Sequence, residues 1–178
     1  MCAFADNCLE YKKIPRVFIN TPDWEKQIVQ PNKPMDLWHG NVIATMVDNY
    51  DILTDVKEIN NGFCVSLKSV NTLIGYNNFR VNIDIRHIPN TCSYDAVLAH
   101  EDQHIREYLS VVDDFRTDLY DALYVSANSV MPIFVSDSED IENAIEQLNK
   151  KMQSTSDMSE RRTIAGKIKE ILEKIKNK

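Results

Sequence analysis

The chain has 178 residues, 43% of them hydrophobic, which is enough for one domain core with a small appendage. Its formal net charge of −7 disfavours binding to nucleic acid or to an anionic membrane. No run of about 18 apolar residues predicts a membrane span, and four glycines without a phosphate-binding motif give nucleotide binding little support.

The amino-terminal third carries two strand signals within proline-rich chain. Residues 17–19 and 42–47 are mostly apolar and rich in β-branched side chains, and we predict a strand at each. Four prolines mark irregular chain around and between them: Pro15, Pro22, Pro31 and Pro34.

The middle of the chain predicts a β-hairpin followed by another strand. Strand-like residues 54–59 and the alternating residues 63–68 flank the turn signal Asn60-Asn61-Gly62. Residues 79–86 then alternate apolar and polar side chains, as in a strand with one buried face. Pro89-Asn90 ends that strand.

A helix is predicted next, with Ser93 as its N-cap and Asp95 in the first turn, where the helix dipole favours negative charge. Leu98, Ile105 and Leu109 supply an apolar stripe. No Gly or Pro occurs between residues 90 and 131, so this helix can run on toward residue 128.

Within this helix lies the one stretch that indicates a chemistry, His100-Glu101-Asp102-Gln103-His104. It matches H-E-x-x-H, in which two histidines four residues apart share one helix face and can bind one ion. At this composition a chance match is expected on the order of 0.005 times per chain. The alternative is a surface helix with two solvated histidines around a glutamate.

This arrangement of a sheet followed by an H-E-x-x-H helix resembles the zincin superfamily of zinc metallopeptidases. Residues 62–104 also resemble, distantly, bacterial secreted zinc-dependent proteases of unknown function. The resemblance implies that His100 and His104 hold Zn²⁺ and that Glu101 is the general base for a metal-activated water that hydrolyses a peptide bond. It also implies that the strand at residues 79–88 is the edge that binds the peptide substrate.

The third metal ligand is open in the sequence. The metzincin spacing after His104 is absent, because Glu107 and Ser110 stand at its positions. We predict a carboxylate from Asp114 or Asp118, and choose Asp118, on the condition that the helix breaks near residues 110–114. The other candidate donors are Glu139, Glu142, Glu146, His87 and His39.

The four cysteines, Cys2, Cys8, Cys64 and Cys92, show no C-x-x-C spacing and bear on location. We expect a Cys64–Cys92 disulfide beside the metal, with four reduced thiols as the alternative. Residues 1–16 lack the apolar segment of a signal peptide. The predicted location is secreted or periplasmic, after removal of a signal, with the cytoplasm as the alternative.

The carboxy-terminal segment predicts a helical hairpin. Ser136-Asp137-Ser138 precedes a stripe of Ile141, Ile145, Leu148 and Met152, and a second apolar stripe follows at residues 164–175. The hairpin either packs on the core or acts as an arm for self-association or partner binding.

The predicted fold class is therefore α+β: a small antiparallel or mixed sheet, then a zincin-type active-site helix, then the C-terminal helical hairpin. We place a zincin-like catalytic domain at residues 1–136 and the hairpin at 137–178. The predicted function is a zinc metallopeptidase acting on a peptide or protein substrate. The alternative is a non-catalytic, metal-stabilised interaction protein with a zincin-like shape.

Overall fold

Two long strands joined by the Asn60-Asn61 turn dominate the sheet. Strands β3 (Gly40–Ile59) and β4 (Gly62–Ile83) have 20 and 22 residues in the computed structural model, which describes residues 6–152. The predicted hairpin is thus confirmed. Gly62 has φ of +151° and a Cβ there would overlap the carbonyl oxygen of Val135, so both backbone conformation and space favour glycine.

Strand β4 is the centre of a five-stranded sheet, because each of the other four strands pairs with it. They are β1 (Arg16–Asn20), β2 (Glu25–Val29), β3 and β5 (Ile133–Val135). β2 is parallel to β4, with Glu25 opposite Asn78, and β5 is antiparallel to it, with Val135 opposite Phe63. Four successive β4 residues, 64–67, are buried, as expected where a strand is covered on both faces.

The predicted fold class is wrong. The sheet is not small, since it has five strands and two of them reach 20 and 22 residues. Lys68, Asn71 and Asn77 interrupt the apolar pattern of the sequence, which therefore predicts two short strands. The structure has one continuous strand there, β4. Neither the zincin arrangement of sheet and helix nor a C-terminal helical hairpin is observed within residues 6–152.

The helix that carries the motif is α1, Cys92–Ser129, 38 residues long. Its N-cap is Thr91 rather than the predicted Ser93. The Tyr94 amide donates to Thr91 Oγ1 at 3.3 Å, and the Asp95 amide donates to the Thr91 carbonyl at 3.0 Å. A threonine hydroxyl at this position satisfies a donor that the first helical turn leaves without a partner.

The chain divides into two compact units, to both of which β3, β4 and α1 contribute. Of the described residues, the first unit comprises 6–18, 50–72 and 115–152, and the second comprises Ile19–Asn49 and Leu73–Asp114. In the second unit the buried cluster of Phe79, Val81, Ile83 and Ile105 joins β4 to α1. In the first unit, buried Phe115, Leu119 and Leu123 recur every four residues along α1.

The C-terminal part of the described chain begins with a cap at Asp137. The side chain of Asp137 accepts a hydrogen bond from the Glu139 amide at 3.1 Å, and helix α2 then occupies residues 141–152. Leu148 and Met152 are fully buried, so this stretch packs on its own chain. The second predicted helix lies outside the described residues, and the proposed boundary at residue 136 stays a prediction.

The disulfide joins Cys8 to Cys64, across 56 residues of sequence. The predicted Cys64–Cys92 pairing is therefore wrong. The alternation of residues 63–68 predicts Cys64 on the polar face of its strand, but it is fully buried, as is Cys8 in the short 3₁₀ helix Asp6–Tyr11. Cys92 is free and exposed.

Candidate metal centre on helix α1

The motif lies in the part of α1 that belongs to the second unit. Glu101 is one helical turn from both Val97 and Ile105, and these three side chains share the face that packs on the core. Glu101 is consequently 3% exposed, although it is charged in its ordinary state. The neighbouring Asp102 instead pairs with Lys26 of β2, at 3.0 Å.

The two histidines converge on a common point. Their Nε2 atoms are 3.2 Å apart, and the rings meet at 81° with centroids 4.7 Å apart. Two nitrogens of a tetrahedral zinc site, each about 2.05 Å from the ion, lie about 3.3 Å apart. The pair therefore has the separation that zinc binding requires. Without an ion, the same contact is a long hydrogen bond in which one nitrogen carries the proton and the other accepts it.

Glu107 lies on the outer side of His104. Its carboxylate is 3.7 Å from Nδ1 of His104 and accepts a hydrogen bond from Gln103 at 3.0 Å. A carboxylate beside Nδ1 favours the tautomer in which that nitrogen carries the proton and Nε2 keeps its lone pair for a metal. In the sequence, Glu107 was notable only because it breaks the metzincin spacing after His104.

The environment of Glu101 makes its carboxylate a stronger proton acceptor than it is in water. Burial raises the pKa of its carboxyl above the ordinary value of 4.5, because the core disfavours the ionised form. Positive charge on His104 and His100 partly opposes this shift. A raised pKa brings a carboxylate closer to the value at which general acid–base catalysis is efficient.

Gly40, the first residue of β3, is a site residue that the sequence analysis missed. A Cβ at this position would be 2.6 Å from Glu101 Oε1 and 2.8 Å from a methyl carbon of Val97. The glycine thus makes room for the carboxylate between helix and strand. Its one signal in the sequence was its rarity, as one of only four glycines in the chain.

The unbroken α1 does not provide the predicted third ligand. Asp118 required a break near residues 110–114, but the helix is continuous from Cys92 to Ser129. At 1.5 Å per residue, Asp114 and Asp118 are about 15 and 21 Å from His104 along the axis, too far to bind the same ion. Within residues 6–152, no three His, Cys, Asp or Glu side chains are grouped to hold a metal.

The other candidate donors separate into two groups. Nδ1 of His39 is 2.9 Å from Nε2 of His87, and Nδ1 of His87 is 2.6 Å from Ser93 Oγ. Both ring nitrogens of His87 are therefore engaged, and this side chain is not free to complete the metal site. Glu139, Glu142 and Glu146 lie in the first unit, and their role as ligands stays a prediction.

Comparison with known proteins does not assign the chain to a family. No family model, curated protein or solved structure matches the chain. The functional argument therefore rests on the side chains of the site.

The strand predicted to bind the peptide substrate is not an edge strand of the sheet. Residues 78–82 of β4 pair with β2, and β3 pairs with β4 as well, so this stretch is interior to the sheet and presents no edge to a peptide. β4 ends at Ile83, before the predicted end at residue 88. Among the described strands, β2 pairs only with β4, and its Lys26 reaches the motif through Asp102.

No helix within residues 6–152 is long and apolar enough to cross a membrane.

Proposed function

We propose that this protein is a zinc-dependent peptidase in which His100 and His104 bind the metal and Glu101 is the general base. The observation that carries the proposal is the 3.2 Å separation of the two Nε2 atoms, on the same turn as a buried carboxylate. A surface helix with solvated histidines requires neither feature. The proposal uses the motif without the zincin fold, since chemistry resides in sites rather than in folds.

The roles of His100, His104 and Glu101 follow from their positions. Zinc, when bound, would supply Lewis acidity toward a peptide carbonyl and toward water. Glu101 would take a proton from the attacking water and return it to the leaving amine, a role that its raised pKa favours. Gly40 would fix the position of that carboxylate, and Glu107 would hold the ring of His104 in orientation.

The same arrangement suggests how a peptide would bind. The outer edge of β2 would accept an extended peptide through backbone hydrogen bonds, because Lys26 ties this strand to the motif. Methylating alternate backbone nitrogens of a cleaved peptide should then weaken binding, whereas methylating the intervening nitrogens should have little effect. An equal effect at every position would argue against strand addition.

Zinc content tests the metal site directly. The parent protein, dialysed with zinc and desalted, should retain one zinc ion per chain, and His100→Ala and His104→Ala should each lose it. Arg106→Ala, an exposed change on the same helix, is the matched control and should keep the ion. Equal zinc content in all four proteins would exclude this pair as the ligands.

The alternative function, a non-catalytic metal-stabilised interaction protein, predicts zinc binding without cleavage. We propose a secreted or periplasmic location, supported by the Cys8–Cys64 disulfide, since such bonds persist in oxidising compartments.

A further inference from the structure

A second group of reactive side chains lies before the motif, where α1 begins. Ser93, the second residue of α1, places its Oγ 2.6 Å from Nδ1 of His87. His87 in turn places Nε2 2.9 Å from Nδ1 of His39. We propose that Ser93 is a nucleophile activated by His87, with His39 orienting His87, and that this site transfers acyl groups independently of any metal.

The geometry is that of an activated serine. A nucleophile within hydrogen-bond reach of a base, and a base oriented by a third group, is the arrangement common to serine hydrolases on unrelated folds. One proton distribution fits all three groups. The Ser93 hydroxyl donates to Nδ1 of His87, and Nε2–H of His87 donates to the lone pair on Nδ1 of His39.

The Ser93 hydroxyl is available for this role because it does not cap the helix. Thr91 is the N-cap, and its hydroxyl donates to the Ile88 carbonyl at 2.7 Å, which fixes the loop before α1. Ser93 itself is exposed, so a substrate can reach it. It also stands in the first turn of a 38-residue helix, whose dipole favours the negative charge that develops during acyl transfer.

The two histidines are held by the backbone around Asp84. The Asp84 amide donates to the His39 carbonyl at 2.8 Å, and the His87 amide donates to the Asp84 carbonyl at 3.0 Å. Asp84 is itself fully buried and bound by Arg86 at 2.8 Å. The pair is therefore preorganised, which an incidental contact between two surface histidines would not require.

The flanking residues indicate the class of substrate. Trp38, which precedes His39, is 65% exposed, and Ile88, which follows His87, is 66% exposed. Large apolar side chains left in solvent next in sequence to two members of a reactive group favour an apolar substrate. The site should therefore accept esters of apolar acids.

The reaction balances without a cofactor. Ser93 Oγ forms a bond to the acyl carbon while His87 takes the hydroxyl proton; the bond to the leaving alkoxide then breaks, and His87 gives that proton to the alcohol. Water next attacks the acyl-serine, His87 takes a proton from it and returns it to Ser93, and the carboxylic acid leaves. The sum is ester plus water giving acid plus alcohol.

An alkyl fluorophosphonate tests the site, with the full chain kept in chelator so that metal chemistry does not contribute. Attack by Ser93 forms an O–P bond and expels fluoride, adding one label that peptide mapping can locate. We expect a single label on Ser93. Its rate should fall at least about 100-fold in His87→Ala, whereas Ser110→Ala, an exposed serine on the same helix, should label as the parent does.

The role of His39 in orienting His87 is tested by a conservative variant. His39→Ala should slow labelling, and His39→Asn, which can restore an acceptor near Nδ1, should recover part of the rate. Hydrolysis of p-nitrophenyl butyrate should follow the same order among the variants. Failure to label Ser93 while a reference serine hydrolase labels fully, or equal labelling of the parent and the folded His87→Ala variant, would overturn the proposal.

Discussion

Glu101 and Gly40 form a close pair across the interface between α1 and β3, in which a Cβ at residue 40 would stand 2.6 Å from the glutamate Oε1. The carboxylate must be buried while helix and strand pack closely. A glycine on the facing strand allows both, because it leaves space that any other residue would fill.

Gly40→Ala should therefore displace the Glu101 carboxylate. We expect peptidase kcat/KM to fall on the order of 100-fold, the effect of moving a catalytic group by about 1 Å, while zinc content is retained. The variant should also lose about 1–3 kcal/mol of stability through overpacking.

A double-mutant cycle separates this contact from a general effect of the strand. In the Glu101→Ala background one of the two side chains that alanine would meet is shortened and only the Val97 contact remains, so Gly40→Ala should cost less stability there. Urea unfolding of the four proteins provides the comparison. Equal costs in both backgrounds would mean that Gly40 does not act through Glu101.

Burial of Glu101 predicts a stability that depends on pH. Its folded-state pKa is raised, so both folded and unfolded states are protonated below pH 4.5, and the carboxylate costs nothing there. As the pH rises from 4.5 toward the folded pKa, the unfolded chain ionises while the folded protein keeps its proton, so stability falls across this range and the loss is complete above the folded pKa. Glu101→Gln should thus be more stable than the parent at pH 8, and the difference should disappear below pH 4.5.

Urea unfolding of both proteins in chelator, from pH 4 to pH 8, measures this difference. A Glu101→Gln variant less stable than the parent at pH 8 would show that the carboxylate is stabilised where it lies.

The ionised carboxylate of Asp84 predicts the opposite dependence of stability on pH. Hydrogen bonds from the Arg86 side chain hold the pKa of this buried carboxyl well below its ordinary value of 3.8, despite burial, and the Arg86 and Met35 amides add to the effect. Its ionised form therefore stabilises the fold fully above pH 3.8, and this contribution is lost as the pH falls through the folded pKa. Asp84→Asn should be destabilised at pH 7, and less so at pH 2.5, where part of the contribution of the ionised carboxylate is already lost.

Asp55→Asn is the matched control for Asp84, because Asp55 pairs with Lys13 on the surface, where its side chain is 42% exposed. Exposed pairs contribute little, so this variant should stay close to the parent at both pH values. Similar losses in the two variants would assign the effect to charge removal rather than to the buried Asp84 network.

The Cys8–Cys64 disulfide should be the main covalent contribution to stability. Closing a loop of 56 residues contributes about 4 kcal/mol in the chain-entropy model. Cys8→Ala should lower the free energy of unfolding by about that amount, whereas Cys92→Ser should leave it unchanged. Non-reducing peptide mapping should recover Cys8 linked to Cys64 and Cys92 alkylated; a Cys64–Cys92 peptide would contradict the structure.

Local signals accounted for the parts of the fold that the sequence predicted. The Asn60-Asn61-Gly62 turn and the uninterrupted helix through His100 follow from neighbours in sequence, and both are confirmed. β2 and β5 were missed because their strand state depends on pairing with β4: β2 is mostly exposed and polar, and β5 has three residues. The full length of β4 was hidden by polar residues that are buried, such as Ser69 and Thr72.

In the candidate site, too, the sequence predicted the residues that are local in the chain and missed those that come together only in the fold. His100, Glu101 and His104 could be recognised because one helical turn sets their spacing. Gly40 and the His39–His87–Ser93 chain could not, because residues separated by up to about sixty positions meet there only after folding. The disulfide partner of Cys64 was missed for the same reason, since Cys8 lies 56 positions away in the sequence.

The most direct test of the central proposal is cleavage of a mixed peptide library by the parent and by Glu101→Gln, each prepared with zinc and then with chelator. We predict that the zinc-loaded parent cleaves, that chelation abolishes cleavage and zinc restores it, and that Glu101→Gln keeps its zinc but is 10²–10⁴-fold slower. Cleavage by Glu101→Gln at the parent's rate, or zinc-loaded parent without any cleavage, would contradict the proposed peptidase.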